Sequence, residues 1–191
     1  MVILASGSPR RRQLLADMKI PYRILLRDVD ESFDARLPPA DVPAYLARKK
    51  AEAYAAQEIG TDILLTADTV VILGAEIMNK PADALEAKAM LAALSGRSHL
   101  VVTSACFREG DDYHTISDSA SVHIRPFAAA EIDFYVDNFQ PFDKAGAYGI
   151  QDWFGLVGLQ KIEGSHYTVM GLPTHLVYNY LSRKLNVLSK L

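Results

Sequence analysis

Cysteine is almost missing from this chain. Cys106 is the single one in 191 residues, and it lies inside an apolar run. No disulfide framework can form within the chain, and such usage suits a reducing compartment. Long apolar runs are missing too: none approaches the ~20 residues that cross a bilayer. The first apolar run is a few residues long and arginines follow it, which reverses the order of a signal peptide. These absences predict a cytoplasmic protein with no membrane partner. Charge of one sign is also scarce, with 20 basic and 23 acidic residues giving a net charge of -3. No global field attracts a polyanion, and no basic stripe with interleaved aromatics runs along the chain, so nucleic acid is not an expected partner. His99, His114 and His123 lack metal-ligand spacing and read as sheet-surface residues. Repeats, low-complexity segments and a clear domain boundary are absent. With 50% hydrophobic and 23% charged residues, the chain reads as one globular domain over residues 1–191 with a sizeable core.

The most informative stretch comes first. Val2 to Ala5 reads as a short strand, Ser6-Gly7-Ser8 as a tight turn, and Pro9 onward as a helix that Ser8 caps. Backbone N–H groups, the positive end of the helix dipole, and Arg10, Arg11 and Arg12 meet there, a good place for a phosphate. GxxxxGK[ST] spacing is absent, so it is not a Walker loop. A solvated basic first turn is the plainer reading, but arginine near a helix start opposes the dipole, which predicts an external anion.

Further along, Tyr22 to Leu26 reads as a strand and Arg27 to Ser32 as an acidic loop. Its three carboxylates form either a solvated turn, the reading favoured on the loop alone, or a hard-cation site. Arg36 to Asp41 reads as linker and Val42 to Ile59 as one helix stopped by Gly60, with Tyr45, Leu46, Ala53 and Ala56 at helical spacing. Arg48, Lys49 and Lys50 fan around that helix, so one of them can reach a cleft while the others face water. The run Ile63 to Leu73 reads as buried strand, yet it carries Thr66, Asp68 and Thr69. A carboxylate buried there costs several kcal/mol, on the order of an unpaired ion, unless it is paired, protonated or on a metal. Regular alternation puts Thr66 and Asp68 on one face and Thr69 on the other; a bend at Ala67-Asp68, with Asp68 capping a turn, is the alternative.

Gly74-Ala75 reads as a hairpin turn with a return through Ile77. Lys80 precedes a proline and is biased towards extended backbone. Asp83-x-x-Glu86 opens a helix bearing Leu85, Ala89, Leu91 and Leu94, with Gly96 as its stop. Leu100 to Phe107 and Tyr113 to Ile124 read as strands joined by a polar turn, Arg108 to Asp112. Ala128 to Phe139 reads as an amphipathic helix with Ile132, Tyr135, Val136 and Phe139 on its apolar side. Between Phe142 and Gln151, two glycines, small alanines and a charged pair read either as an ordinary glycine-rich loop or as backbone passing close to a ligand. Gln151 has the donors and acceptor to match a nucleobase edge. Gly158 to Ile162 reads as strand and Gly164 to Gly171 as a turn-rich connection. Thr174 reads as the cap of a last helix whose stripe is Leu176, Val177, Tyr180, Leu181, Leu185 and Leu188. Interleaved helices and strands make the class α/β with a mixed sheet.

Together, the N-terminal turn, Lys50, Lys80, Lys144, the carboxylates Glu31 and Asp68, and the Gln151 loop make up the parts of a nucleotide-phosphate site, where charge neutralisation and positioning carry the chemistry. The sequence resembles the Maf family of nucleoside triphosphate pyrophosphatases over nearly its whole length. The resemblance rests on LASGSPRRRQLL (Leu4–Leu15), DES (Asp30–Ser32), LARKKA (Leu46–Ala51), ADTVV (Ala67–Val71), KP (Lys80–Pro81), LSG (Leu94–Gly96), DKAGAYGIQ (Asp143–Gln151) and IEGS…VMGLP (Ile162–Pro173).

The resemblance implies hydrolysis of a nucleoside triphosphate between its α- and β-phosphates with a divalent cation, Mg²⁺ or Mn²⁺. It implies Asp68 as proton acceptor, and Arg10, Thr69 and Gln151 as residues of substrate choice. Ser8, Arg11, Lys50, Lys80 and Lys144 are implied as phosphate contacts, and Glu31 with Asp68 as metal contacts. It further implies an elongated mixed sheet with flanking helices in two lobes around a central cleft, similar to inosine triphosphate pyrophosphatases, and a homodimer. DKAGAYGIQ is similar to the dTTP/UTP pyrophosphatase group rather than the 7-methyl-GTP group. Asp152-Trp153-Phe154 departs from the small residues more usual there, and Trp153 beside Gln151 is expected to reshape the base pocket. A nucleotide-binding regulator of cell division without turnover is the competing class, and Asp68→Asn separates the two.

Overall fold

The computed structural model describes residues 1–185. In chain order its elements are β1 (Val2–Leu4), α1 (Pro9–Asp17), β2 (Tyr22–Ile24), α2 (Val42–Glu52), α3 (Ala56–Ile59), β3 (Ile63–Leu73), β4 (Glu76–Met78), α4 (Ala84–Leu94), β5 (Ser98–Glu109), β6 (Asp112–Ile124), α5 (Ala129–Phe139), α6 (Trp153–Gly158), β7 (Leu159–Glu163), α7 (His166–Met170) and α8 (Thr174–Leu185). The strands hydrogen-bond in the order β2-β1-β3-β5-β6-β7, with β4 paired to β3. The sheet is mixed, as expected: β1 is parallel to β2 and β3, whereas β4 and β7 pair antiparallel. The chain divides into two compact units, Met1–Asp68 with Thr103–Asp118 and the segment from Gly171, and Thr69–Val102 with Ser119–Met170.

In the first unit, β1 is buried throughout, which explains its uninterrupted apolar run. Its core is Ile3, Ala47, Ala51, Tyr54, Ile59, Leu64 and Cys106. Ser8 caps α1, its Oγ accepting from the Arg11 N–H at 3.5 Å, with Pro9 as the first helical residue. The single helix expected over Val42–Ile59 is two, α2 and α3. Arginines break it: Arg108 Nη1 donates to the carbonyls of Ala51 at 3.1 Å and Tyr54 at 2.6 Å, and Arg27 Nη1 donates to that of Ala53. Guanidinium groups thus take the carbonyls that a continuing helix would use. Arg108, expected in a polar turn, is buried within β5, and the β5–β6 turn shrinks to Gly110-Asp111. The carbonyl of Pro173, not Thr174, receives the first bonds of α8 from Leu176 and Val177. Val177 and Leu181 of the expected stripe are buried, and Leu188 lies outside the described residues.

In the second unit, Asp83 Oδ1 accepts from the Glu86 N–H at 2.9 Å and starts α4. The buried stripe of α4 is Ala87, Leu91 and Leu94; Leu85, expected on that face, is 79% exposed. Lys88 joins α4 to Asp133 and Asp137 of α5 at 2.8 and 3.3 Å. Ile132, Tyr135 and Val136 are buried along α5. Sequence reading misses α6 because Gly155 and Gly158 dilute its period. Both are glycines for want of space: a Cβ would stand 2.2 Å from the Ile150 carbonyl oxygen at Gly155 and 2.4 Å from the Phe127 ring at Gly158. His99 is no surface residue. It is 3% exposed and its Nε2 lies 2.7 Å from Tyr148 Oη.

Candidate active site

β3 runs unbroken through Ala67, Asp68 and Thr69, so no turn interrupts the carboxylate-bearing strand. Thr66 Oγ1 donates to the Ala47 carbonyl at 2.6 Å, and Lys50 Nζ donates to Asp68 Oδ1 at 2.6 Å. Both partners belong to α2, so Thr66 and Asp68 share the face that regular alternation predicts. Lys50 also lies 2.8 Å from Glu31 Oε1, and its ammonium bridges the two carboxylates.

The consecutive cations of α2 do fan apart. Arg48 turns to Glu52 at 2.7 Å and over the Tyr113 ring, while Lys49 turns to Asp30 at 3.0 Å. The acidic loop divides in the same way. Asp30 Oδ1 accepts from the Ser32 N–H at 3.0 Å as a turn former. Hydrogen bonds from the Ser32 hydroxyl and from Lys49 push its carboxyl down to about 2. Glu31 goes to Lys50.

Arg11 braces this group. Its Nη1 donates to the Ala67 carbonyl at 2.8 Å and to Ser6 Oγ at 3.2 Å, and its Nε donates to the Gly171 carbonyl at 2.7 Å. Three protein oxygens therefore meet a guanidinium that the helix dipole alone would repel. Burial pushes the Asp68 carboxyl above its ordinary range, while Lys50 and Arg11 pull it back and Glu31 pushes it further up. Burial likewise lowers Arg11, against the charge of Asp68. Arg10 stands beside Arg11 in the first turn of α1.

The second unit assembles Lys144 and Gln151 on one loop. Gly146 N–H donates to the Asn79 carbonyl at 3.2 Å, tying that loop to the residue before Lys80. A Cβ on Gly146 would reach 3.1 Å from Val71, so the loop also lies against β3 two residues beyond Thr69. Lys144 Nζ is 2.6 Å from Asp143 Oδ1 and 3.6 Å from Asp152 Oδ2. Lys80 and Gln151 are exposed and Thr69 is half-buried. Trp153 opens α6, and its ring centroid lies 5.1 Å from Phe134 and 6.5 Å from Tyr135. Next to Gln151, Asp152 Oδ2 accepts from the Tyr135 hydroxyl at 3.0 Å. In the sequence Tyr135 reads only as part of an apolar helix face, and Asp152 only as the first residue of the Asp152-Trp153-Phe154 departure after Gln151.

Among the described residues, no three His, Cys, Asp or Glu side chains cluster as a metal centre. The acidic oxygens that do come together are those of Glu31 and Asp68, both on the Lys50 ammonium at 2.8 and 2.6 Å.

Residues 1–184 match the family model described as Maf-like protein. The chain belongs to the Maf family. Relatives of this Maf protein include the dTTP/UTP pyrophosphatase of Christiangramia forsetii, 44% identical over 97% of this chain and 94% of that one. Another is the dTTP/UTP pyrophosphatase of Porphyromonas gingivalis, 46% identical over 94% of this chain and 92% of that one. Among solved structures, the nucleoside-triphosphatase / dITP/XTP pyrophosphatase of Mycobacterium abscessus superposes with a TM-score of 0.44 at 11% identity, covering 99% of this chain and 94% of that one.

Proposed function

We propose that this Maf protein hydrolyses dTTP and UTP, with modified pyrimidine triphosphates, to the monophosphate and pyrophosphate, and so cleans the nucleotide pool. The observation that carries the reading is the buried Asp68 carboxylate held by Lys50 beside Glu31. The shared name of the relatives supports the substrate. Asp68 takes a proton from the attacking water as oxygen bonds to phosphorus and the bridging P–O bond breaks. Burial keeps the carboxylate more basic than usual, which suits that task. Ser8, Arg10, Arg11, Lys50, Lys80 and Lys144 offset charge along the phosphate chain. Arg10, Thr69 and Gln151 govern substrate choice, Gln151 with its amide on the base edge.

Glu31 and Asp68 would hold Mg²⁺ or Mn²⁺, which when bound polarises phosphoryl oxygens and neutralises their charge. Residues 1–191 act as one Maf-like pyrophosphatase domain. A cytoplasmic homodimer that binds neither nucleic acid nor membrane belongs to the same reading. It is supported by the family resemblance, the balanced charge and the fact that no described helix is long and apolar enough to cross a membrane.

An end-point assay tests this: dTTP, UTP, CTP, GTP and 7-methyl-GTP with Mg²⁺ or Mn²⁺, separating pyrophosphate from orthophosphate. Pyrophosphate chiefly from dTTP and UTP is expected. A preference for 7-methyl-GTP would overturn the base assignment alone. Orthophosphate only, or no product with either metal, would overturn the reaction and favour a binding-only regulator.

A further inference from the structure

One phenol closes the loop that carries Gln151. Tyr135 is fully buried on α5. Its Oη accepts from the Gly149 N–H at 3.2 Å and donates to Asp152 Oδ2 at 3.0 Å. The Asp152 carboxylate takes up the space of a Gly149 side chain: a Cβ there would stand 2.5 Å from Oδ2. The same oxygen lies 3.6 Å from Lys144 Nζ. The main chain closes on itself as well, Asp152 N–H donating to the Gly149 carbonyl at 3.1 Å. Gln151 sits inside this closed segment. Its side chain is exposed and makes no hydrogen bond among the described residues, so the polar contacts of this segment act on its backbone.

We propose that Tyr135 is a positioning residue for base recognition: its hydroxyl, acting through Gly149 and Asp152, fixes the backbone from which Gln151 meets the base. The inference rests on the reading that Gln151 reads the base. Burial keeps the phenol protonated well above its ordinary range, in keeping with its role as donor to Asp152. The ring has a separate task, lying 5.2 Å from Phe139 and 5.4 Å from Phe154 between centroids. Tyr135→Phe therefore keeps the packing and removes the bridge.

The test is steady-state kinetics of Tyr135→Phe, Asp152→Ala and the double variant on dTTP, UTP, CTP and GTP. Each single variant is expected to raise KM for dTTP and UTP about tenfold, the scale of one lost hydrogen bond to a charged group. The preference for these over CTP and GTP should fall, with kcat within about twofold, and the double variant should lose no more than the worse single. Unchanged KM and preference would overturn the inference. So would a uniform loss on all nucleotides that tracks a lower Tm, or additive losses in the double variant. Should Tyr135→Phe fail to fold, Asp152→Ala, at a half-buried position, carries the same test. Gln151→Ala separates the two assignments. If it loses the preference while Tyr135→Phe keeps it, this inference fails alone; if Gln151→Ala keeps the preference, the base-reading assignment fails and this inference with it.

Discussion

Lys50 and Asp68 are joined by a 2.6 Å contact in which both side chains are largely shielded from water, 16% and 11% exposed. A pair so placed is costly to break from one side, because the remaining charge stays buried. Lys50→Met should lower stability by about 3 kcal/mol in urea unfolding. Adding Asp68→Asn to Lys50→Met should recover part of the loss, since a neutral amide no longer needs the ammonium. A double variant as weak as the sum of both singles would argue against the pairing.

Asp68→Asn by itself separates chemistry from binding. The amide cannot take a proton, so kcat should fall by about 10²- to 10⁴-fold. Calorimetric affinity for dTTP should hold within a few fold. Full turnover in this variant would remove Asp68 as the base.

Lys80 offers a cleaner electrostatic test because it is exposed. Lys80→Ala should leave Tm unchanged and lower kcat/KM by roughly 10²-fold, the scale of one lost transition-state donor. Wild-type kinetics would take Lys80 out of the site.

His99 sets a pH dependence of stability. Burial holds its imidazole down to about 4, below its ordinary value of 6.5, with the charge of His123 as a smaller cause. Below pH 6.5 the unfolded chain takes up a proton that the folded one refuses until about pH 4. This contribution is complete above 6.5 and declines through that window by up to ~1.4 kcal/mol per pH unit. Urea midpoints should drop between pH 7 and pH 5, with a shallower slope in His99→Gln. Equal slopes in the two proteins would locate the dependence elsewhere.

The aliphatic run around Asp68 announced a buried strand, and a carboxylate inside it announced an expense that needs a partner. The partner itself was not legible. Arg48, Lys49 and Lys50 follow one another on a helix, and only the packing of α2 decides which meets the strand. His99 reads as a surface residue because the expected strand starts only at Leu100, whereas β5 begins at Ser98 and is buried along most of its length. The break after Glu52 depends on Arg27 and Arg108, neighbours in space that no local propensity reveals. The Ser8 cap and the Asp83 cap were legible because each is a contact over three residues.

The unbroken course of β3 limits how this protein can change. A loop accepts an inserted residue and bulges; a paired strand answers by turning every later side chain over. One residue gained or lost between Thr66 and Asp68 would send the carboxylate to the face now held by Thr69 and carry it away from Lys50. Length is therefore fixed along this stretch, and variation in size among natural or engineered Maf chains should gather outside β3.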